Sequence, residues 1–359
     1  MAVRDHRLVD RAYRVDVEIA APAIKSGGRR NQQVFRAHAF KISHIDGHGS
    51  PRQPAVPIVR HLLVDRRYGF AIELAARGDR EGAIDVLRQA VEQAPNFASA
   101  WFALGDLREA SSDHSGAREA FRRAHAADPD DRHGAGLRLA RLDARVPDTM
   151  PLVYVRALFD QYAPRFDAAL EGLSYRAPAL LLAAITDHCV RRGRQLRFGT
   201  VLDLGCGTGL AGAAIRPVCD WLVGVDLSPA MIAKARQKGL YDRLETAEIG
   251  AFMAAELDAA PRYHLILATD VLPYVGDLAP IMTQAASLLY AGALFGFTVE
   301  THAGEGIALG EKLRYAHSEA NVREAVVAAG LVLHALEHAS TRDEGRAPVP
   351  SLVAIAGRV

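Results

Sequence analysis

Residues 201–210, Val-Leu-Asp-Leu-Gly-Cys-Gly-Thr-Gly-Leu, constrain the fold more than any other stretch of the chain. An apolar, strand-like run leads into three alternating glycines, and the small, apolar residues of a predicted helix follow. Glycine reaches backbone angles that other residues avoid, and its missing side chain lets a ligand approach the main chain closely. A strand that enters a glycine turn at the start of a helix is typical of α/β folds that bind nucleotide-like cofactors. We therefore predict a cofactor cradle at Gly205, Gly207 and Gly209.

The carboxylate of Asp203, inside the predicted strand, indicates which kind of ligand this cradle holds. It would repel a pyrophosphate, whereas it would attract a ligand that carries an ammonium and a sulfonium group. A second acid, Asp226, closes the next apolar run about 20 residues beyond the turn, the usual place for an acid that holds ribose hydroxyls. Ser228 and Pro229 then have the character of an N-cap and a first helical residue.

The pattern of glycines and acids resembles motif I and the following acid of the class I S-adenosylmethionine-dependent methyltransferases. The chain also contains a literal Gly-x-Gly-x-x-Gly at Gly207, Gly209 and Gly212, which is the pattern of a nicotinamide-dependent oxidoreductase. We favour the first interpretation because Asp203 would be a poor neighbour for a dinucleotide pyrophosphate. The resemblance implies a doubly wound, Rossmann-like α/β sheet with S-adenosylmethionine as the cofactor.

Length and composition limit the remaining possibilities. The chain has 359 residues, half of them hydrophobic, which is enough for two domains with real cores. Its three cysteines, Cys189, Cys206 and Cys219, lack the spacing of a metal site or a disulfide framework, so we expect no metal and a cytoplasmic protein. No apolar run is long enough for a membrane span, and charge alone gives no reason to expect nucleic acid.

The first 60 residues predict little structure. They hold 11 Lys and Arg against 5 Asp and Glu, with scattered Pro, Gly and His. Since aromatic residues are not interleaved with the basic ones, a nucleic-acid-binding arm is less favoured than a disordered extension over residues 1–60.

An internal repeat with a period of 34 residues follows, between about 64 and 144. The recurring pairs are Ala83 and Ala117, Leu87 and Phe121, Ala90 and Ala124, and Pro95 and Pro129. This pattern resembles the tetratricopeptide repeat, and it predicts an all-α module of two units and a capping helix. Since about three repeats are usually needed for stability, we expect the module to pack on the next domain or to self-associate. It could also recruit a protein partner.

Residues 150–359 contain the predicted catalytic domain, which begins with a helical lid at 152–195. The pattern Phe-Asp-x-Tyr-Ala-x-x-Phe-Asp from Phe159 resembles the helical segment that precedes many small-molecule methyltransferases, and it is especially close to a bacterial family with tetratricopeptide repeats. In that family type Tyr162 is the lid residue that would touch the cofactor. Strands are predicted at 200–204, 221–226, 244–248, 263–269, 293–299, 331–336 and 351–357. The last two would form an antiparallel hairpin separated by polar residues 340–350.

The resemblance assigns further residues to the cofactor. Asp203 and the backbone of the glycine turn would hold the methionine part, Asp226 the ribose and Leu227 the adenine ring. Glu248, near the end of the third strand, would accept from the adenine amine, with Glu245 as the alternative if the register differs. Asp270 follows the fourth strand and would face the position of methyl transfer.

The sequence alone does not single out one catalytic residue. Asp270, Tyr274 and His317 are candidate general bases, and Glu300 and His302 are weaker ones. Arg314 and Tyr315 would join His317 in an acceptor pocket. The acceptor itself is either a small molecule or a protein recruited by the repeats.

Two other functions remain as alternatives to methyl transfer. One is an interaction scaffold in which the cofactor-binding domain is no longer catalytic. The other, less favoured, is the nicotinamide-dependent oxidoreductase.

Overall fold

The computed structural model describes residues 56–259 and 262–359. The predicted extension, residues 1–60, lies outside the described residues except at its end, because the first helix already begins at Val56. The N-terminal helices are α1 (Val56–Ala76), α2 (Arg80–Gln93), α3 (Ala98–Ala110), α4 (His114–Ala127) and α5 (Ala135–Leu142).

Helices α1 to α4 form two equivalent pairs, in which α1 packs on α2 and α3 packs on α4. Three of the four recurring pairs are at most 2% exposed in both repeats, namely Ala83 and Ala117, Leu87 and Phe121, and Ala90 and Ala124. The fourth pair, Pro95 and Pro129, is exposed just after α2 and α4. The second helix of each pair also begins in the same way. Asp79 and Asp113 accept hydrogen bonds from the backbone N–H groups of Gly82 and Gly116. Equivalent burial and equivalent caps together explain the fixed period.

The helical repeats pack directly on the rest of the chain through α5. Leu137 of α5 lies in one apolar cluster with Tyr154, Leu313 and Tyr315. Gly134, the N-cap of α5, has a φ of +76°, and a Cβ atom there would lie 3.0 Å from the ring of Tyr154. The expectation that two repeats need a covering neighbour is therefore confirmed within the chain.

Three helices precede the sheet: α6 (Leu152–Tyr162), α7 (Phe166–Gly172) and α8 (Ala177–Arg191). The prediction that 152–195 forms a lid is too broad. Leu181, Ile185 and Cys189 of α8 are buried against the strands in an apolar cluster, so α8 is a layer of the sheet domain. Only α6, α7 and the loop that follows α7 remain as a cover.

The sheet follows the predicted α/β alternation. Its strands are β1 (Phe198–Leu204), β2 (Cys219–Asp226), β3 (Arg243–Thr246), β4 (Tyr263–Ala268), β5 (Leu289–Thr301), β6 (Ile307–Leu309), β7 (Tyr315–His317), β8 (Leu331–Glu344) and β9 (Ala347–Arg358). The helices among them are α9 (Leu210–Ile215), α10 (Pro229–Lys238), α11 (Ile249–Ala259), α12 (Ala279–Leu288) and α13 (Glu319–Ala328). Two short 3₁₀ turns lie at Arg216–Val218 and Leu272–Tyr274.

Parallel pairing gives the strand order β3-β2-β1-β4-β5, and β9 continues the sheet antiparallel to β5. The final strands β8 and β9 pair antiparallel, as predicted. The strand order reverses between β1 and β4, and ligands of open α/β sheets bind at the carboxyl ends of the strands beside such a point. The doubly wound, Rossmann-like fold is therefore confirmed.

Three details of the predicted strands are wrong. Strand β3 ends at Thr246, so Glu248 lies beyond the strand. Residues 340–350 are not a polar connection, because β8 runs to Glu344 and β9 starts at Ala347, with positive φ at Gly345 and Arg346 in the turn between them. Strands β6 and β7 were not predicted, since three residues are too short for an alternation pattern to appear.

Both faces of the sheet are covered, which is why its strands are apolar on both sides. Val201 of β1 contributes to the cluster under α8, whereas the next residue, Leu202, contributes to the larger cluster under α11, α12 and α13. No single helix among the described residues is long and apolar enough to cross a membrane. The pair α7 and α8, which is bent by 76°, meets the length and composition of a membrane span, but by length and composition only.

Candidate active site

The glycine turn after β1 forms one wall of a cavity at the carboxyl ends of the strands. The φ values are +65° at Gly205, +54° at Gly207 and +92° at Gly209. Residues other than glycine rarely adopt such backbone angles. At Gly205 a Cβ atom would also lie 2.4 Å from Val271. Gly205 and Gly207 line the cavity, whereas Gly209 lies behind them and begins α9. Two of the three predicted glycines therefore reach the cavity wall.

Asp226 lies at the end of β2 and lines the same cavity. Its Oδ2 accepts a hydrogen bond of 2.9 Å from the Gly207 N–H, and its Oδ1 accepts one of 2.8 Å from the Ser228 N–H. Burial raises the pKa of this carboxyl to about 6, against the two backbone donors, which lower it. Leu227 is also part of the wall. The turn and the second acid are thus joined by a direct hydrogen bond.

Asp203 lies in a different place from the one expected. Its side chain does not line the cavity and is 1% exposed, behind the glycine turn. Its Oδ2 accepts a hydrogen bond of 2.6 Å from the Tyr241 hydroxyl, whereas its Oδ1 has no hydrogen-bond partner among the described residues. Burial raises the pKa of Asp203 to about 7. The structure therefore contains a buried carboxylate that the protein itself does not fully compensate.

Tyr241 was not predicted, and it explains why several glycines occur near the turn. A Cβ atom at Gly212 would lie 2.2 Å from the Tyr241 hydroxyl oxygen, and one at Gly224 would lie 2.7 Å from its ring. At Gly209 the corresponding distance to the ring is 3.1 Å. The last glycine of the literal Gly-x-Gly-x-x-Gly thus makes room for a tyrosine of this chain. It is not a contact surface for a dinucleotide.

Helices α6 and α7 cover the cavity and are attached to its rim by two aspartates of the Phe-Asp-x-Tyr pattern. Asp160 accepts a hydrogen bond of 2.5 Å from the hydroxyl of Ser228, the N-cap of α10. Asp167 accepts one of 2.7 Å from the Lys238 ammonium and a further one from the hydroxyl of Thr208, inside the glycine turn. These contacts hold the cover directly against the two predicted cofactor segments.

The aromatic residues of the cover line the cavity together with Leu158 and Leu173. Tyr162 is 8% exposed and its ring packs edge-on against Phe166, with centroids 6.1 Å apart. Phe159 makes similar contacts with Phe166 and Tyr274. Phe159 and Phe166 therefore both belong to the cavity wall.

Glu248 lines the cavity although it lies two residues beyond β3. Its carboxylate accepts hydrogen bonds of 2.8 and 2.6 Å from the N–H groups of Gly250 and Ala251, at the start of α11. The alternative, Glu245, does not line the cavity, and its carboxylate pairs with Arg243 at 3.2 Å. Of the two acids, only Glu248 reaches the cavity.

Asp270 lies just after β4 with a φ of +55°, and it lines the cavity. The Thr298 hydroxyl accepts from its N–H at 2.9 Å and donates to its Oδ1 at 3.0 Å. Its Oδ2 pairs with the Arg342 guanidinium at 2.9 Å. Tyr274, four residues on, also lines the cavity. Both candidates are present at the site, and the carboxylate of Asp270 is engaged on both oxygens.

A buried ion cluster extends from Asp270 along the far wall. Arg342 pairs with Asp270, Glu300 and Glu344, and Arg314 pairs with Glu300 and Glu344 at 2.6 Å each. Burial opposes the charge of Arg342, but Asp270 and Glu300 keep the pKa of its guanidinium above the usual value. The pKa of Glu344 is lowered because Arg314 and Arg342 outweigh its burial. Arg342 and Glu344 come from the part of β8 predicted to be a loop.

The two candidate histidines do not line the cavity. His317 is fully buried, with Nδ1 3.1 Å from the Asn321 Oδ1 and Nε2 3.1 Å from the Val275 carbonyl oxygen. Burial lowers its pKa. The ring nitrogens of His302 form hydrogen bonds with Gly304 and Gly306 of its own loop.

Of the three residues expected in an acceptor pocket, only Arg314 reaches the cavity wall. The hydroxyl of the buried Tyr315 donates to the Pro147 carbonyl, away from the wall. The structure therefore does not bring Tyr315 or His317 to the cavity.

The fold and the site together define a Rossmann-like domain that has a glycine turn, an acid at the end of the second strand and a helical cover, and that follows a helical repeat. Residues 202–295 match the family model of a methyltransferase domain, and residues 68–132 match that of the tetratricopeptide repeat. The chain thus carries a methyltransferase domain preceded by tetratricopeptide repeats. Among curated proteins, Methyltransferase-like protein 27 of Homo sapiens is 38% identical over 93 residues, 26% of this chain and 37% of that protein.

Other similar proteins cover the same region. The ubiquinone biosynthesis O-methyltransferase of Nitrobacter winogradskyi is 26% identical over 110 residues, 31% of this chain and 42% of that protein. The chain thus spans about two fifths of the length of these curated relatives. Among solved structures, the 1,6-didemethyltoxoflavin-N1-methyltransferase of Burkholderia thailandensis, with 1,6-didemethyltoxoflavin and S-adenosylhomocysteine bound, is 20% identical to this chain. The structural alignment covers 60% of this chain and 92% of that protein's chain, with a TM-score of 0.45.

Proposed function

We propose that the protein is an S-adenosylmethionine-dependent methyltransferase whose acceptor is a small molecule or a protein recruited by the repeats. The observation that carries the proposal is the carboxylate oxygen of Asp203, behind the glycine turn, that has no hydrogen-bond partner within residues 56–259 and 262–359. A buried carboxylate is costly unless a positive charge lies near it. A ligand with an ammonium and a sulfonium supplies that charge, whereas a dinucleotide pyrophosphate would add further negative charge.

The remaining residues fit the other parts of this cofactor. Each oxygen of Asp226 accepts one backbone hydrogen bond and keeps a lone pair for a ribose hydroxyl. All of Leu227, Glu248 and Tyr162 line the cavity. In this proposal Leu227 packs on the adenine ring, Glu248 accepts from the adenine amine, and Tyr162 contacts the cofactor from the cover. When bound, S-adenosylmethionine supplies a methyl group activated by its sulfonium. The protein aligns the acceptor and excludes water, and alignment supplies much of the rate.

Asp270 is a positioning group in this proposal. Both oxygens of its carboxylate are engaged, one by Arg342 and one by Thr298, so the orientation of the side chain is fixed. The cytoplasm is the compartment we propose, because all three cysteines are buried and unpaired, as in a reducing environment.

Calorimetric titration with S-adenosylmethionine, S-adenosylhomocysteine and NAD tests the proposal. Binding of the first two supports it. Binding of NAD alone would indicate an oxidoreductase, and binding of none would indicate an interaction scaffold.

The Asp226→Asn variant makes the test specific. The new amide nitrogen cannot accept from the Gly207 or Ser228 N–H, and we expect S-adenosylmethionine affinity to fall at least about tenfold. Asp258→Asn, on the exposed side of α11, removes the same charge away from the cavity and should bind normally. Equal affinities of the two variants would contradict the assignment of Asp226.

A further inference from the structure

We use the name acceptor chamber for the part of the cavity around the ion cluster of Asp270, Arg314, Arg342 and Glu344. Leu152 and Leu158 of α6 and Pro273 and Val275 of the turn after β4 supply apolar surface. The polar residues of its wall are Tyr154, Tyr175, Tyr274, Lys312, Arg314, Arg342 and Glu344. A small, largely apolar molecule with a polar end fits such a wall better than a flexible, hydrated chain does.

Hydrogen-bond donors dominate the polar part of the acceptor chamber. The side chains of Tyr154, Tyr175 and Tyr274 all line the cavity, and each carries a hydroxyl that can donate a hydrogen bond. Burial raises the pKa of each of these phenols, so they stay protonated and can donate at neutral pH. Lys312 and Arg314 also carry only donors, of which Arg314 uses two for its pairs with Glu300 and Glu344. An acceptor oxygen with free lone pairs is therefore the complementary group.

The chamber lacks a suitable general base among the described residues. Asp270 and Glu344 line it, but both are paired with buried guanidinium groups, at 2.9 Å and 2.6–2.8 Å. No histidine in the described part of the chain lines the cavity, and His317 is held by Asn321 and Val275. An ammonium or an aliphatic alcohol must lose a proton before or during methyl transfer, and general-base catalysis would be needed for that loss. A nucleophile that arrives already ionised needs no such group.

We propose that the acceptor is a small, largely apolar molecule that presents an ionised acidic oxygen, such as a phenolate, an enolate or a carboxylate, to the methyl group. The inference rests on the proposed function and names the acceptor class for the same site. In the transfer, an O–CH₃ bond forms and the S–CH₃ bond breaks, and the electron pair of the broken bond stays on sulfur. An oxyanion and a sulfonium become a neutral ether or ester and a neutral sulfide, so no proton has to move.

Matched ring compounds test this acceptor class on the full-length protein. Phenol, 4-nitrophenol, benzoate and benzylamine have similar size, and release of S-adenosylhomocysteine measures their methylation. We expect an oxygen acid to be methylated at least about tenfold faster, in kcat/KM, than benzylamine. The comparison of the phenols with benzoate shows which oxygen acid is preferred. For the phenols, the pH at which kcat/KM levels off should follow the acidity of the acceptor itself, because no protein base is involved.

Tyr274→Phe removes one donor and keeps the aromatic wall. It should lower kcat/KM for the best oxygen acid about tenfold and leave S-adenosylmethionine affinity within about twofold, since a hydrogen bond to an anion is a strong one. Tyr290→Phe, on a half-exposed residue outside the cavity, is the matched control and should change neither value. A faster reaction with benzylamine, or a pH break that is the same for both phenols, overturns the inference. Methylation of none of the probes by a protein that binds S-adenosylmethionine also overturns it. Failure to bind S-adenosylmethionine refutes the proposed function instead.

Discussion

Replacement of Asp203 by asparagine should make the protein more stable and its binding of S-adenosylmethionine weaker. Asp203 is 1% exposed and its pKa is raised to about 7, chiefly by burial, against an ordinary value of about 3.9. The nearby charge of Asp226 adds to the effect. Between these two pH values the folded chain binds more protons than the unfolded chain. The contribution of Asp203 to the free energy of unfolding therefore falls as pH rises through this window, and it is constant above the window.

The size of the effect follows from the same shift. The pKa of Asp203 is raised by about three units, and each unit corresponds to about 1.4 kcal/mol. At pH 8 the folded chain is therefore about 4 kcal/mol less stable than it would be if the pKa of Asp203 were the same in the folded and unfolded chains. Asparagine removes the charge and keeps an oxygen that can accept from Tyr241. Because the amide must itself be desolvated, we expect Asp203→Asn to recover about 2–4 kcal/mol at pH 8. At pH 5, where the aspartate is mostly protonated, the gain should shrink to about 1–2 kcal/mol.

Urea unfolding of the ligand-free protein at pH 8 and pH 5 measures this difference, with Asp258→Asn as a control for removal of an exposed charge. Calorimetry at pH 8 should show about tenfold weaker binding of S-adenosylmethionine to Asp203→Asn, because the charge that attracts the ligand is gone. The reasoning is refuted if the variant is no more stable than the parent at pH 8, or if its advantage is the same at both pH values. Unchanged ligand affinity would refute the electrostatic role assigned to Asp203.

Two further predictions concern the cover and the glycine turn. Asp167→Ala removes the contacts of α7 with Thr208 and Lys238. It should weaken S-adenosylmethionine binding about tenfold and speed amide hydrogen exchange in α7. The control Glu171→Ala, at an exposed position of the same helix, should have neither effect. Equal exchange in the two variants would argue against the attachment. Gly212→Ala places a Cβ atom 2.2 Å from the Tyr241 hydroxyl and should cost about 1–3 kcal/mol in thermal unfolding, whereas Gly172→Ala, with open space around it, should be nearly neutral. A neutral Gly212→Ala would mean that Tyr241 is free to move.

Short-range patterns made part of this site readable from the sequence. The glycine turn and Asp226 lie on consecutive β-α units, so their spacing alone predicts that they meet, and a hydrogen bond from Gly207 to Asp226 joins them. The 34-residue repeat was equally readable, because both copies bury the same positions. In each case the residues that signal the feature also form it.

The missed features depend on contacts between distant segments. Tyr241 reaches Asp203 across 38 residues, and nothing in its local sequence distinguishes it from a surface tyrosine. Arg342 and Glu344 belong to a polar stretch that predicts a loop, yet they extend β8 because Asp270, Glu300 and Arg314 compensate their charges. Asp160 and Asp167 were part of a recognised pattern, but their partners on α10 and in the glycine turn could be identified only in three dimensions.

The position of Tyr154 has a consequence for how such a protein can evolve. One side of its ring meets Gly134 of the repeat module, and the same side chain lines the acceptor chamber. A side chain larger than hydrogen at Gly134 would press on that ring and so on the chamber behind it. Exchange of the repeats for those of another protein would therefore alter the catalytic domain, unless the capping helix and α6 were inherited together.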